Sequence, residues 1–282
     1  RKAGKILPWN FQSMIDDDAS EEAFIKKMTN QCTYLPGEAV LPKDSLCYQK
    51  FMVLNEINNI KVNGEKISPE LKQDIFNELF MKTSRVTVKK ITELLKRKGA
   101  FSEEKGDSLS GVDINIKSSL KSYLDFRRLL ENGFLSENDV ERIIERITVT
   151  TDKPRLVSWL KAEYSDLPAE DIRYISRLSY KDYGRLSAKL LTGCYELDTN
   201  TGEIGGRSII DFMWAENINL MQILSDSYGY KSFIEEENKK YYMINPTGSI
   251  AQTLREMYVS ASVSRAIIRT MEIVKELRKI TK

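Results

Sequence analysis

The sequence predicts an all-α fold, a single compact multi-helix domain with one short hairpin-like insertion. Three observations predict it. Apolar residues recur at three- and four-residue spacing, as at Ile267, Met271, Val274 and Leu277. Helix punctuation is frequent: Ser68-Pro69 and Ser136 with Asp139 open helices, and Gly99, Gly133 and Gly193 close them. Only residues 198–206, rich in Asn, Thr and Gly, read as a hairpin. No fixed-period repeat marks a solenoid.

Taken in order, residues 1–18 read as a leading segment, with Pro8, Trp9, Asn10 and Phe11 forming a compact aromatic turn. Asp16, Asp17 and Asp18 stand at the favourable end of a helix over 19–29. Residues 34–42 make a loop with extended pieces, set by Pro36, Gly37 and Pro42. A helix over 45–60 buries Leu46, Phe51, Leu54 and Ile57 and ends among Asn55, Asn58, Asn59 and Lys61. Helices over 68–81 and 87–98 follow, the second with Lys96, Arg97 and Lys98 complementing its dipole. After a polar loop over 100–110 come helices over 115–131, from Ser136 to a linker at 148–152, and over 155–164, 168–177 and 179–193. The last helices cover 209–214, 220–226, 230–240, 250–258 and 264–279.

The chain has 282 residues with 43 basic and 41 acidic side chains, a net charge of +2. Nucleic-acid binding would therefore arise from local charge, not a global field. No histidine is present, which removes the commonest general base and metal ligand. Cys32, Cys47 and Cys194 are widely spaced and form no CxxC pair, which argues against zinc and suits a reducing compartment. No apolar run reaches the roughly 18 residues of a membrane span, and no signal peptide or nucleotide-binding glycine loop occurs. The chain opens at Arg1 and closes within a helical pattern, so it is expected to be a piece of a longer protein.

The stretch from Ser179 to Gln222 carries the strongest candidate chemistry. On a helix, Lys181, Arg185 and Lys189 would form one basic stripe, with Tyr183, Leu186 and Leu190 on the neighbouring face. Gly184 would let a backbone or a phosphate approach. Asn219, Gln222 and Ser225 follow at helical spacing as a neutral polar stripe. Phosphates and sugars are read by such groups, although a solvated helix face has the same pattern. Further basic candidates are Arg127, Arg128, Lys89, Lys90, Lys96 to Lys98, Arg265 and Arg269. Acidic runs at 16–18 and 235–237 read as solvated charge, without calcium-loop spacing.

A chain-long set of motifs adds to this. Pro8-Trp9-Asn10-Phe11, Met28-Thr29-Asn30, Val40-Leu41-Pro42-Lys43, Tyr48, Asn55-Glu56 and Arg85-Val86-Thr87-Val88-Lys89 appear in order. Tyr183-Gly184-Arg185-Leu186-Ser187, Ile210-Asp211-Phe212, Asn219-Leu220-Met221-Gln222 and Val274-Lys275-Glu276-Leu277 follow. In this order and spacing the chain resembles the third domain of the helical recognition lobe of the CRISPR type II RNA-guided DNA endonucleases. Tyr183 stands where tryptophan is familiar in that family, Ser225 where histidine is, and Asn59 where lysine can be.

The resemblance implies a non-catalytic recognition domain over 19–258, a leading segment over 1–18, and an exit helix over 259–282 toward the next RuvC segment. It implies that the domain holds the PAM-distal guide RNA–target DNA heteroduplex by its backbone and licenses HNH activation. The parent is an endonuclease with its HNH and RuvC domains elsewhere. No cofactor is expected here, divalent metal belonging to those nuclease domains. The HNH domain and other recognition-lobe domains are expected partners, with no membrane, in the bacterial cytoplasm. Asn30, Tyr48, Tyr183, Arg185, Asn219, Met221, Gln222 and Ser225 match positions at or beside the heteroduplex. The alternative is a helical protein-interaction scaffold, with Trp9, Phe11, Trp159 and Trp214 as docking aromatics and no nucleic-acid contact.

Overall fold

Side-chain caps set most helix starts in the computed structural model, which describes residues 29, 31–101, 108–113, 116–150, 152–197, 204–244 and 261–280. Ser45 caps α1 (Leu46–Ile57), Ser68 caps α2 (Pro69–Ile75) and Thr87 caps α3 (Val88–Arg97). Each hydroxyl accepts from the backbone amide three residues on, satisfying a donor the helix itself leaves free. α2 runs on into a π-helical turn, Phe76–Phe80. After α4 (Lys121–Glu131), α5 (Glu137–Val149) opens with the reciprocal Ser136–Asp139 capping box. α6 (Lys153–Glu163) and α7 (Ala169–Ile175) complete this half. Gly99 and Gly133 follow α3 and α4 with φ of 75° and 72°, the left-handed geometry of a glycine stop.

Two departures from the sequence reading matter for function. First, residues 182–186 are not helical. They run beside 41–43, with Gly184 N donating to Leu41 O at 2.7 Å, Leu41 N to Leu186 O at 2.9 Å and Lys43 N to Asp182 O at 3.2 Å. Asp182 takes φ 71°, which ends helical geometry there. Only α8 (Ala188–Gly193) is helical, started by Ser187, whose Oγ accepts from Leu190 N at 3.2 Å. Lys181, Arg185 and Lys189 therefore do not form a helical stripe.

Second, a hairpin follows α1, where the sequence reading placed none. β1 (Lys61–Val62) pairs antiparallel with β2 (Glu65–Lys66) and with β3 (Leu109–Ser110). Asn63 and Gly64 link β1 to β2 with φ of 54° and 87°, the two left-handed residues of a tight hairpin turn. The expected hairpin is present too, as β4 (Tyr195–Leu197) pairs antiparallel with β5 (Ile204–Ser208). Then come α9 (Ile209–Ala215), α10 (Leu220–Ile223), α11 (Tyr230–Ile244) and α12 (Ala261–Ile280). α10 stops at Ile223, short of the expected 226. Trp9, Phe11, Asn30 and the helix expected over 250–258 lie outside the described residues, as does all but Thr29 of the one over 19–29. The chain is mostly helical with small strand pairs, as its sequence predicts.

The chain divides into two units, Asn30–Glu235 and a second made of Arg1–Thr29 with Glu236–Lys282. In the second unit α12 carries Ile267, Met271, Val274 and Leu277, all exposed, as the stripe read from its sequence. The first unit has two apolar cores. One gathers α2, α3, α8 and α9, and the other α4 to α7. α1 serves both: Phe51, Val53, Leu54 and Ile57 enter the first, and Leu46 packs on the second.

Polar contacts pin both ends of α1. At its start, Glu141 Oε1 of α5 accepts from Ser45 Oγ at 3.0 Å and from Cys47 N at 2.8 Å. A carboxylate there also opposes the positive end of the helix dipole. Burial pushes Glu141 above the usual carboxylate range, opposed by these donors. At its end, buried Asn58 donates through Nδ2 to Met213 O at 3.0 Å and Ile218 O at 2.8 Å. Lys72 of α2 is fully buried and donates to Met213 O at 3.1 Å and Glu216 O at 2.8 Å. It thereby satisfies carbonyls that α9 leaves open at its C-terminus.

Burial lowers the Lys72 ammonium from 10.5 to about 8, against the pull of Glu216 and Glu70. A depressed lysine pKa means that the unfolded chain binds more protons between those two values. This group's contribution to stability therefore rises as pH climbs from about 8 to 10.5. Urea unfolding across that window should show the rise in the wild type relative to Lys72→Met, by at most about 3 kcal/mol. Parallel curves for the two proteins would contradict the buried-charge account.

Candidate nucleic-acid interface

One face of α1 joins the two groups of candidate residues. Tyr48, Met52, Asn55 and Asn59 fall at i, i+4, i+7 and i+11, the last in the turn after the helix. None is buried, and Met52 is 41% exposed. At 1.5 Å per residue the row is roughly 17 Å long.

At its first end the Tyr48 ring lies against Gly184. A Cβ added there would stand 2.3 Å from Tyr48 Cε2 and 2.4 Å from Cζ. Glycine is required here by an aromatic ring, not by a phosphate. The Tyr48 phenol accepts from Arg185 N at 3.3 Å, while Arg185 O accepts from Thr33 N at 3.0 Å and Thr33 Oγ1 at 3.1 Å. The Arg185 backbone is thus held on both sides while its side chain is exposed. Half-buried Tyr183 bridges to Pro42, its phenol pushed up by burial and by nearby Glu145.

At the other end the expected polar stripe is an N-terminal cap. Asn219 Oδ1 accepts from Gln222 N at 3.0 Å, and Gln222 Oε1 accepts from Asn219 N at 3.2 Å. Asn219 Nδ2 donates to Asn59 Oδ1 at 2.7 Å, Asn59 Nδ2 to Asn55 O at 2.8 Å, and Leu220 N to Asn55 Oδ1 at 3.1 Å. A lysine at 59 has no acceptor to offer Asn219. Asn217 donates to Ile67 O, tying the same turn to the hairpin. Met221, 74% exposed, and exposed Gln222 and Ser225 project from this braced turn.

Most of the other basic candidates are engaged internally. Lys189 pairs with Glu38 at 3.1 Å, Arg127 with Glu131 at 2.7 Å, and Lys98 with Asp74 and Glu78 at 2.8 and 2.9 Å. Arg97 meets Glu78, Arg128 meets buried Asp171, Lys89 lies 3.9 Å from Glu93, and Arg269 lies 3.2 Å from Glu272. Lys90 donates to Arg85 O at 3.1 Å. The Arg185 guanidinium has no such partner among the described residues.

A cleft of about 720 Å³ opens on another side of α1, between Leu46, Cys47, Trp214 and the row Glu137, Glu141 and Glu145. Its carboxylates disfavour a phosphate. Burial first, then Glu141, pushes the Cys47 thiol up to about 12, so it stays protonated. Among the described residues no group of three or more Cys, Asp or Glu is placed to hold a metal, and no helix is long and apolar enough to cross a membrane.

The structure brings Tyr48, Tyr183 and Arg185 together at one end of α1 and Asn219, Met221, Gln222 and Ser225 at the other. Sequence reasoning missed Met52 and Asn55 as the link, although their spacing from Tyr48 was visible. It also missed Lys66, which donates to Gln222 Oε1 at 3.1 Å from the unread hairpin.

These features define an all-helical domain with a polar, lightly cationic face. The family described as the REC lobe of CRISPR-associated endonuclease Cas9 matches residues 1–238. The CRISPR-associated endonuclease Cas9 of Streptococcus mutans serotype c is 32% identical over 295 residues, covering 99% of this chain and 21% of that protein. That of Listeria innocua serovar 6a is 34% identical over 294 residues, covering 98% and 21%. That of Campylobacter jejuni is 26% identical over 204 residues, covering 67% and 20%. The chain belongs to the Cas9 REC-lobe family, and it spans about a fifth of the length of these relatives.

The Tyr48–Gly184 contact is directly testable. Gly184→Ala must displace the ring and should destabilise the protein by about 1–3 kcal/mol in chemical denaturation. Tyr48→Ala removes the obstacle, so the double variant should lose less than the sum of the single losses. Additive losses would show that the ring does not dictate the glycine.

Proposed function

We propose that this chain is a non-catalytic recognition domain of an RNA-guided DNA endonuclease. It holds the PAM-distal guide RNA–target DNA heteroduplex by its backbone and acts as a checkpoint for HNH activation. The observation that carries this reading is the pair of outward groups at the two ends of the α1 face. Arg185 presents a guanidinium with no internal pair among the described residues. Gln222 has its amide oxygen occupied by Asn219 N and Lys66 Nζ, which leaves its NH₂ to donate. Phosphate oxygens only accept, so a donor at each end matches a nucleic-acid backbone. An A-form hybrid is recognised through its shape, phosphates and 2′-hydroxyls, and RNA-guided nucleases delegate sequence to base pairing.

The family match supports the parent activity, which would reside in HNH and RuvC domains outside this chain. The HNH domain and the other recognition-lobe domains are the protein partners in this reading. Tyr48 and Tyr183 form the aromatic shoulder beside Arg185, and Met221 and Ser225 flank Gln222. Asn30 belongs to the reading through its motif alone.

The test uses the full-length, guide-loaded endonuclease. Arg185→Ala should weaken target binding and lower the slope of log K against log salt by about one. Cleavage of targets mismatched at the PAM-distal end should fall more than cleavage of matched targets. An unchanged salt slope with equal effects on both targets would contradict a backbone contact at Arg185.

A further inference from the structure

The proposal here rests on the reading of Gln222 as a backbone contact and goes one step beneath it. We propose that Lys66 is a positioning residue that holds the Gln222 amide with its NH₂ outward, and so makes this end of the face a hydrogen-bond donor.

Lys66 ends β2 of the hairpin after α1. Its Nζ donates to Gln222 Oε1 at 3.1 Å and also to Asn217 O. Asn219 N donates to the same Oε1 at 3.2 Å. An ammonium and a backbone N–H can only donate, so the atom between them must be the carbonyl oxygen. A flipped amide would put NH₂ against two donors. The orientation therefore follows from the chemistry of its neighbours.

Without Lys66 the oxygen keeps one donor, and the exposed side chain is freer to turn. A turned amide offers oxygen to phosphate oxygen, which is repulsive. The surrounding turn has separate supports: Asn58 holds Ile218 O at 2.8 Å, and Lys72 holds Glu216 O at 2.8 Å. Loss of Lys66 thus changes the polarity of one side chain while the turn stays in place. Lys66 is exposed, and its neighbour across the hairpin is Lys61, a like charge that favours its turning toward the 217–222 acceptors.

The experiment measures target binding by the full-length, guide-loaded endonuclease carrying Lys66→Met, Gln222→Ala or both, across a salt series. Lys66→Met should weaken binding about fivefold. The double variant should bind no more weakly than Gln222→Ala, and the salt slope of Lys66→Met should match the wild type. Additive losses, or a slope lowered by about one, would show that Lys66 holds a phosphate itself and overturn the proposal. If Gln222→Ala weakens binding and Lys66→Met does not, the positioning role alone fails. If Gln222→Ala changes nothing, the reading of Gln222 fails and this inference falls with it.

Discussion

Helix α1 is immobilised by burial along its length and by polar bonds at both ends, and the rest of the first unit is arranged around that constraint. Its inward side chains enter two cores that share few other elements. Its first amides are satisfied by Ser45 and by the Glu141 carboxylate from the second core. Asn58 locks its end to the turn after α9. An unpaired buried amide costs about 1–3 kcal/mol, so these bonds resist opening more strongly than their net worth suggests. The outward face of α1 inherits that rigidity, which is what a surface of a few well-placed donors needs.

Charge then explains the character of the face. The chain is rich in cations, yet acids nearly match them in number, several basic candidates pair with a neighbouring carboxylate, and the net charge is only +2. A strongly basic groove would grip any polyanion over a long range and blunt the response to a distorted hybrid. On this face the Arg185 guanidinium, unpaired among the described residues, and the oriented Gln222 amide stand out, each able to contribute about 1–3 kcal/mol through a hydrogen bond involving a charged group. In the proposed reading, with so few contacts, losing one to a misplaced phosphate would change the balance appreciably. Neutrality and sensitivity to shape are in this sense the same property.

Much of this was legible in local chemistry and much was not. Ser68-Pro69, Ser136 with Asp139, Gly99 and Gly133 act within a few residues of themselves, and the structure follows them. The stretch 183–190 carries an apolar spacing that suits a helix throughout, with Leu186 and Leu190 both buried. The non-helical path of 182–186 comes with its pairing to 41–43, roughly 140 residues away in sequence, which no local pattern reports. Asn63-Gly64 is different: the turn signal stands in the sequence between the helices over 45–60 and 68–81, and it went unread. That miss hid Lys66. Among the site residues, Arg185 and Gln222 emerged from motif and residue type, whereas the reason for Gly184 required seeing Tyr48 beside it.

The central claim is that the outward face of α1 lies along the hybrid, and Met52 at its middle tests this most directly. A photo-cross-linking amino acid at position 52 of the full-length, guide-loaded endonuclease should cross-link to nucleic acid once a fully matched target is bound. A PAM-distally mismatched target should lower the yield. Equal cross-linking with and without target, or none with a matched target that is demonstrably bound, would contradict the account.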